Sequence, residues 1–265
     1  MSTALFTAEE LEQFQRDGFV IVDSLFTPEE VTLLGQIGRA DLAMQQATFS
    51  RGDGEGGAVK LNIENEVGED IYGAIAAGHR VVDRMEALLG DEVYHYHHKM
   101  IQKEAKVGGA WAWHQDYGYW YGNGCLFPDM GSCMIAVDRA TQENGCLQVL
   151  KGSHLMGRVD HGKVGDQTGA DPERVAAARE RFELVYCTLE PGAAIFFHSN
   201  LLHRSDQNKS EHPRWGFICC YNTKHNDPYK DSRHPRYTPL SKRDDSDVLT
   251  IGRAQWEQMQ ANSSM

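Results

Sequence analysis

Gly108-Gly109-Ala110-Trp111-Ala112-Trp113-His114-Gln115-Asp116-Tyr117 reads as a β-strand, and the rest of the chain is best read outward from it. With a side-chain period of two, Ala110, Ala112, His114 and Asp116 share one face, while Trp111, Trp113 and Tyr117 take the other. The alanines leave room beside an imidazole and a carboxylate. A His and an Asp two residues apart on one face can both ligate a metal whose third ligand comes from a distant strand. Alone the pattern is weak, because an ordinary strand with two polar residues is spelled the same way.

The surrounding sequence is consistent with a β framework. After Gly90, short β runs separated by Gly, Pro and Asn turns are predicted at 93–102, 109–117, 131–138, 145–150, 184–189, 193–198 and 214–222. A polar excursion at 156–182 carries a predicted helix from Pro172 to Arg181. Upstream, Thr7-Ala8-Glu9-Glu10 and Thr27-Pro28-Glu29-Glu30 spell capping boxes that open helices running to Arg16 and to about Gln46. Phe19 to Val22 reads as a short strand, 50–58 as a mobile Gly-rich loop, and Glu69 to Leu89 as a third helix. Helices followed by seven or more strands predict a mainly β fold, a sandwich or barrel with a helical layer on one sheet. The end from His225 to Met265 is polar, with a short helix at 252–261.

The 265 residues carry 26 basic and 38 acidic side chains, a formal charge of −12, which opposes a bulk electrostatic grip on nucleic acid or an anionic membrane. Small-molecule partners are expected. No apolar run approaches the ~18 residues that cross a bilayer, and the start lacks a basic region followed by an apolar one, so a cytoplasmic protein is expected. Cys125, Cys133, Cys146, Cys187, Cys219 and Cys220 contain no C-x-x-C pair, which fits reduced thiols.

Two histidines compete for the third ligand position, His198 and His203, five residues apart in Ile195-Phe-Phe-His-Ser-Asn-Leu-Leu-His-Arg-Ser205. The next strand, from Arg214 to Tyr221, places Arg214, Gly216, Ile218 and Cys220 on one face. An arginine there can hold a carboxylate through two parallel hydrogen bonds.

His114-x-Asp116, His203 and Arg214 at these spacings resemble the phytanoyl-CoA dioxygenase family of Fe(II)/2-oxoglutarate-dependent oxygenases. So do Ala140-Thr-Gln-Glu-Asn-Gly-Cys-Leu147 with Lys151-Gly-Ser-His154, Leu201-Leu-His-Arg-Ser-Asp-Gln-Asn-Lys-Ser210, and the opening Gln13-x-x-x-Asp-Gly-Phe-Val20. The resemblance implies a double-stranded β-helix (jelly roll, cupin-like) core at 91–224 beneath a helical N-terminal layer at 1–90, with a polar tail at 225–265, all in one domain. It implies His114, Asp116 and His203 as iron ligands, and Arg214 with Ser205 on the distal carboxylate of 2-oxoglutarate. Lys60 and Gln102 are placed near the cosubstrate, and His198 is left as a packed or supporting residue. Halogenating relatives replace the carboxylate ligand with a small residue, so Asp116 implies hydroxylation, with O₂ consumed and succinate and CO₂ released.

Tyr119, Trp120 and Tyr121 follow the metal strand in a Gly-bounded loop and are expected to close over substrate, and Tyr117 at the strand's end is counted with them as a substrate-binding candidate. An aromatic lid in an acidic surround suits a small polar, amine-bearing metabolite. Lys99, Lys103 and Lys106 read as a solvated strand edge, or else as a sign of a phosphonate, carboxylate or acyl-CoA substrate. A non-catalytic jelly-roll binding protein and a zinc hydrolase are the competing classes. His95 and His97 share a face by parity and read as packing, and His154 reads as structural.

Overall fold

The computed structural model describes residues 5–164 and 167–263. Along the chain, α1 (Ala8–Asp17), β1 (Phe19–Val22), α2 (Pro28–Ala40) and α3 (Leu42–Ala47) lead to a hairpin of β2 (Phe49–Gly52) and β3 (Ala58–Glu64). Next come α4 (Ile71–Ala76), α5 (His79–Leu89), β4 (Val93–Lys103), β5 (Trp111–His114), α6 (Asp116–Trp120), β6 (Met130–Ala136) and β7 (Leu147–Leu150). A second hairpin, β8 (His161–Val164) and β9 (Gln167–Ala170), precedes α7 (Pro172–Arg179), β10 (Leu184–Cys187), β11 (Ala194–His198), β12 (His203–Ser205), β13 (Arg214–Thr223) and α8 (Asp247–Ser263).

Seven strands form one antiparallel sheet in the order β1-β11-β6-β13-β4-β3-β2, and four form a second, β10-β7-β12-β5. Strand parity builds two cores around the large sheet. Phe196, Phe217, Cys219 and Tyr221 face the helices, whereas Ile195, Phe197, Ile218 and Cys220 face the small sheet. The fold is therefore the expected jelly roll with a helical layer on one face, and its functional cavity opens between the two sheets.

Both capping boxes form as read, with Thr7 and Glu10, and Thr27 and Glu30, bonding each other's backbone reciprocally. The long helices are each broken. α2 stops at Asp41, whose carboxylate caps Met44 N–H and starts α3. The predicted 69–89 helix divides at Ala77–Gly78 because the C-terminal segment docks there: Arg243 N–H donates to Ala77 O, and His79 N–H donates to Arg243 O. The tail is thus part of the helical layer. α8 runs from 247, not 252, and Gly252 packs so closely on Leu33 and Ile71 that a Cβ would lie 2.8 Å from the first. Two hairpins went unread: residues 50–58 belong to β2–β3, and the polar excursion contains β8–β9.

Candidate active site

His203 on β12 lies directly opposite His114 on β5, and their ring centroids are 4.0 Å apart. Each imidazole is fixed by the same device. His114 Nδ1–H donates to Ala112 O at 2.8 Å and His203 Nδ1–H to Leu201 O at 2.9 Å, in both cases the carbonyl two residues earlier. That leaves both Nε2 atoms as bare acceptors. They stand 3.7 and 3.9 Å from Asp116 Oδ1, too long for hydrogen bonds, and one donor atom from each residue lies within 4.8 Å of the others. Burial pushes both imidazoles below their ordinary pKa, well below for His114. Two neutral imidazoles and a buried carboxylate converging on one point, with no proton between them, fit a divalent iron with a free coordination face.

Asp116 reaches this point by a different route from the one parity predicts. β5 ends at His114, Gln115 is extended, and Asp116 is the first residue of α6. Gln115 anchors the turn: its side chain donates to Asn200 O and accepts from Val159 N–H, and its own N–H donates to His161 Nε2. Asp116 Oδ2 accepts from Ser132 Oγ at 3.1 Å, which leaves Oδ1 for the shared site.

A cavity of about 380 Å³ extends from these three side chains between the sheets. Arg214, 4% exposed, and the buried Ser205 line its far end, with Lys103 directly opposite Arg214 in register. Among the described residues, Arg214 makes no ion pair, and burial pushes its guanidinium down from its ordinary pKa.

Several expected residues fall elsewhere. Lys60 is exposed and Gln102 lies outside the cavity: their neighbours Val59, Leu61, Ile101 and Lys103 line it, so parity turns both Lys60 and Gln102 to the other face. Tyr117 packs inward with its hydroxyl on Leu126 O at 2.5 Å, and Tyr121 is exposed with its ring beneath the Arg158 guanidinium. Of the four aromatics, Tyr119 and Trp120 line the cavity, on a helical turn instead of a free loop.

Trp111, expected to point away, also lines the cavity. The pairing of β5 with β12 slips between His203↔His114 and Ser205↔Trp111, so the extra residue in β5 brings Trp111 round to the His114 side. A similar slip at Tyr96 separates His95 from His97. His95 bonds His98 at 3.0 Å, whereas His97 lines the cavity. His198 packs between Phe14 and His154, and burial lowers its pKa to about 3.

Of the three lysines read either as a solvated strand edge or as a sign of an anionic substrate, Lys99 and Lys103 line the cavity. Their i, i+4 spacing on the same strand face as Ile101 was the available signal. Lys106 is exposed and pairs with Glu211. Arg51, Arg204 and Arg233 also line the cavity, so its surround is basic, not acidic.

Residues 14–216 match the sequence model of the family described as phytanoyl-CoA dioxygenase. L-proline trans-4-hydroxylase of Streptomyces griseoviridis is 32% identical over 188 residues, 64% of this chain and 69% of that protein. Ectoine dioxygenase of Sphingopyxis alaskensis is 28% identical over 235 residues, 83% of this chain and 76% of that protein. The crystal structure of EctD from S. alaskensis with bound Fe superposes with a TM-score of 0.77 at 25% identity, covering 92% of this chain and 89% of that one. The epimerase SnoN from nogalamycin biosynthesis shares the fold, with a TM-score of 0.69 at 19% identity. No helix among the described residues is long and apolar enough to cross a membrane.

Proposed function

The chain belongs to the phytanoyl-CoA dioxygenase family and is an Fe(II)/2-oxoglutarate-dependent dioxygenase; from that premise we propose that it hydroxylates a C–H bond of a small polar metabolite, using His114, Asp116 and His203 to hold the iron. The observation that carries the reading is the pair of Nε2 atoms and the carboxylate oxygen aimed at one point in a cavity that is also lined by a buried arginine with no ion pair among the described residues.

Bound iron, 2-oxoglutarate and O₂ supply the oxidation, which releases succinate and CO₂ and leaves an oxygen atom in the substrate. The protein's own residues do the rest. Arg214 offers two parallel N–H donors and Ser205 a hydroxyl to the distal carboxylate of the cosubstrate, in a buried site where such bonds are strong. Ser132 holds Asp116 and the two backbone carbonyls hold the imidazoles, so the donor set is formed before anything binds. Leu61, Ile101, Met134, Phe197 and Ile218 give the cavity apolar walls that keep bulk water from the reacting atoms. A hydrolytic reading lacks support, since Asp116 is the sole carboxylate among the described lining residues and none is left to act as base.

Adding Fe(II) and 2-oxoglutarate without oxygen should produce the weak visible charge-transfer band of a chelated 2-oxo acid. Admission of air should then yield succinate. A well-folded protein that gives neither band nor succinate is not an oxygenase.

A further inference from the structure

The cavity carries a charge opposite to that of the chain. Arg51, Lys99, Lys103, Arg204, Arg214 and Arg233 line it against Asp116 alone, inside a protein of net charge −12. Some of these cations already have partners. Arg204 pairs with Asp206, and the Lys103 ammonium donates to the Asp206 carbonyl. Arg214, opposite Lys103, belongs to the cosubstrate on the reading above. That end of the cavity is accounted for.

Lys99 is not. It lies four residues from Lys103 on the same face of β4, about 13 Å away at strand rise, with Ile101 between them. Its cross-strand neighbours are Ile63 on β3 and Ile218 on β13, neither of which offers an acceptor. Among the described residues, its ammonium makes no hydrogen bond or ion pair, and Asp116 is taken up by the site it shares with the two imidazoles. Next along the cavity lies the ring of His97, 4% exposed, with its Nδ1 sealed inside the protein and without a hydrogen-bond partner among the described residues. The His234 ring lies 4.9 Å from that of His97, and Arg233 stands exposed at the mouth with no ion pair among the described residues. The Asp116 charge favours the Lys99 ammonium, but none of its three N–H groups has an acceptor among the described residues, and an anion in the cavity would supply one.

We propose that the primary substrate is an organic acid whose carboxylate sits on Lys99 Nζ beside the His97 ring, so that the carbon to be oxidised faces Asp116, His114 and His203. This rests on the oxygenase reading and narrows its substrate class. A simple amine is repelled by the same residues. An amino acid is admitted through its carboxylate, with its ammonium turned toward the rings of Tyr119 and Trp120.

The test uses the anaerobic Fe(II)–2-oxoglutarate complex of the full-length protein and reads the shift of its visible band together with calorimetric binding. The probes are matched pairs of small acids and their primary amides: L-proline with L-prolinamide, cyclohexanecarboxylic acid with its amide, and pyrrolidine as a bare amine. At least one acid should bind about 10-fold to 100-fold more tightly than its amide, the range for a hydrogen bond to a charged group. Lys99→Gln should erase that preference and Lys99→Arg should restore part of it. Arg233→Gln, at the exposed mouth where folding is not at risk, should reduce it several-fold. Equal binding of every acid and amide, tighter binding of pyrrolidine, or no binding of any acid overturns the proposal. So does a Lys99→Gln variant that loses 2-oxoglutarate while keeping the acid preference, because Lys99 then serves the cosubstrate. Failure of the band to form in the unaltered protein is a different result and defeats the oxygenase reading itself.

Discussion

Each imidazole of the site is held by the carbonyl two residues before it, so the Nε2 lone pairs are presented by backbone geometry and need no further acid or base to set the tautomer. Asp116→Ala removes one of three donors and leaves Ser132 Oγ without its acceptor. The expected outcome is loss of stoichiometric Fe(II) binding by metal analysis and succinate formation at background. Arg214→Lys keeps the charge but loses the fork, and should raise the KM for 2-oxoglutarate roughly 10-fold, the value of one hydrogen bond to a charged group. An unchanged KM would remove Arg214 from cosubstrate binding. His114-x-Asp116 was legible in the sequence because that part of the motif is short and linear, whereas His203, 89 residues after His114, was chosen over His198 through the family resemblance. Lys60 and Gln102 were not correctly placed, because each lies one residue from a cavity position, and in a strand one residue is the difference between the two faces of the sheet.

Period-two reading works where strands are regular and fails where they slip. β13 alternates as predicted from Arg214 through Cys220, but β5 carries an irregularity that turns Trp111 into the cavity, and one in β4 turns His95 away while His97 keeps the face of Lys99 and Ile101. Bulges occur next to functional sites, where they re-aim a side chain, and their location depends on the partner strand's register. The β8–β9 hairpin was also illegible, since His161 to Val164 and Gln167 to Ala170 carry no apolar alternation, although Gln167 and Ala170 are buried. It is held by what it straps. Gln167 bonds Ala112 N–H and Ala110 O, His161 accepts from Gln115 N–H, and the Tyr119 hydroxyl donates to Thr168 O. Gly118 is the point of closest approach: a Cβ there would lie 2.0 Å from the His161 ring. Gly118→Ala should therefore lift the hairpin from α6. Faster hydrogen exchange across 161–164 and 167–170, with weaker iron binding, is the expected outcome, and unchanged protection there would show that the strap does not support the site.

A buried ion pair joins α5 to α2 in the helical layer, and the same arginine reaches the C-terminal segment. Arg80 on α5 bonds both Glu30 carboxylate oxygens, at 2.8 and 2.9 Å, and also reaches Leu25 O and Asp245 O. Burial is the largest single influence and raises the Glu30 pKa, but the Arg80 hydrogen bonds and charge together with the hydrogen bonds from Thr27 outweigh it, so the net shift is downward. The resulting stability is present above the ordinary glutamate pKa and is lost as pH falls through the depressed folded value. Glu30→Ala should cost roughly 3 kcal/mol, as for a buried pair with one partner removed, and lower the Tm while flattening the acid limb of the stability curve. An unaltered acid limb would assign acid unfolding to other groups. At this scale the sequence by itself determined the helix caps, most strands and the order of layers, because these follow from local hydrogen bonding and periodicity, while the choice of His114, Asp116, His203 and Arg214 came from the resemblance of their spacing to a family pattern. Only the tertiary structure decided where the tail docks, which way Trp111, His95, Lys60 and Gln102 point, and that an acidic chain encloses a basic cavity. Each of these depends on which strand lies beside which and in what register, and that is set by hydrogen bonds between residues far apart in the chain.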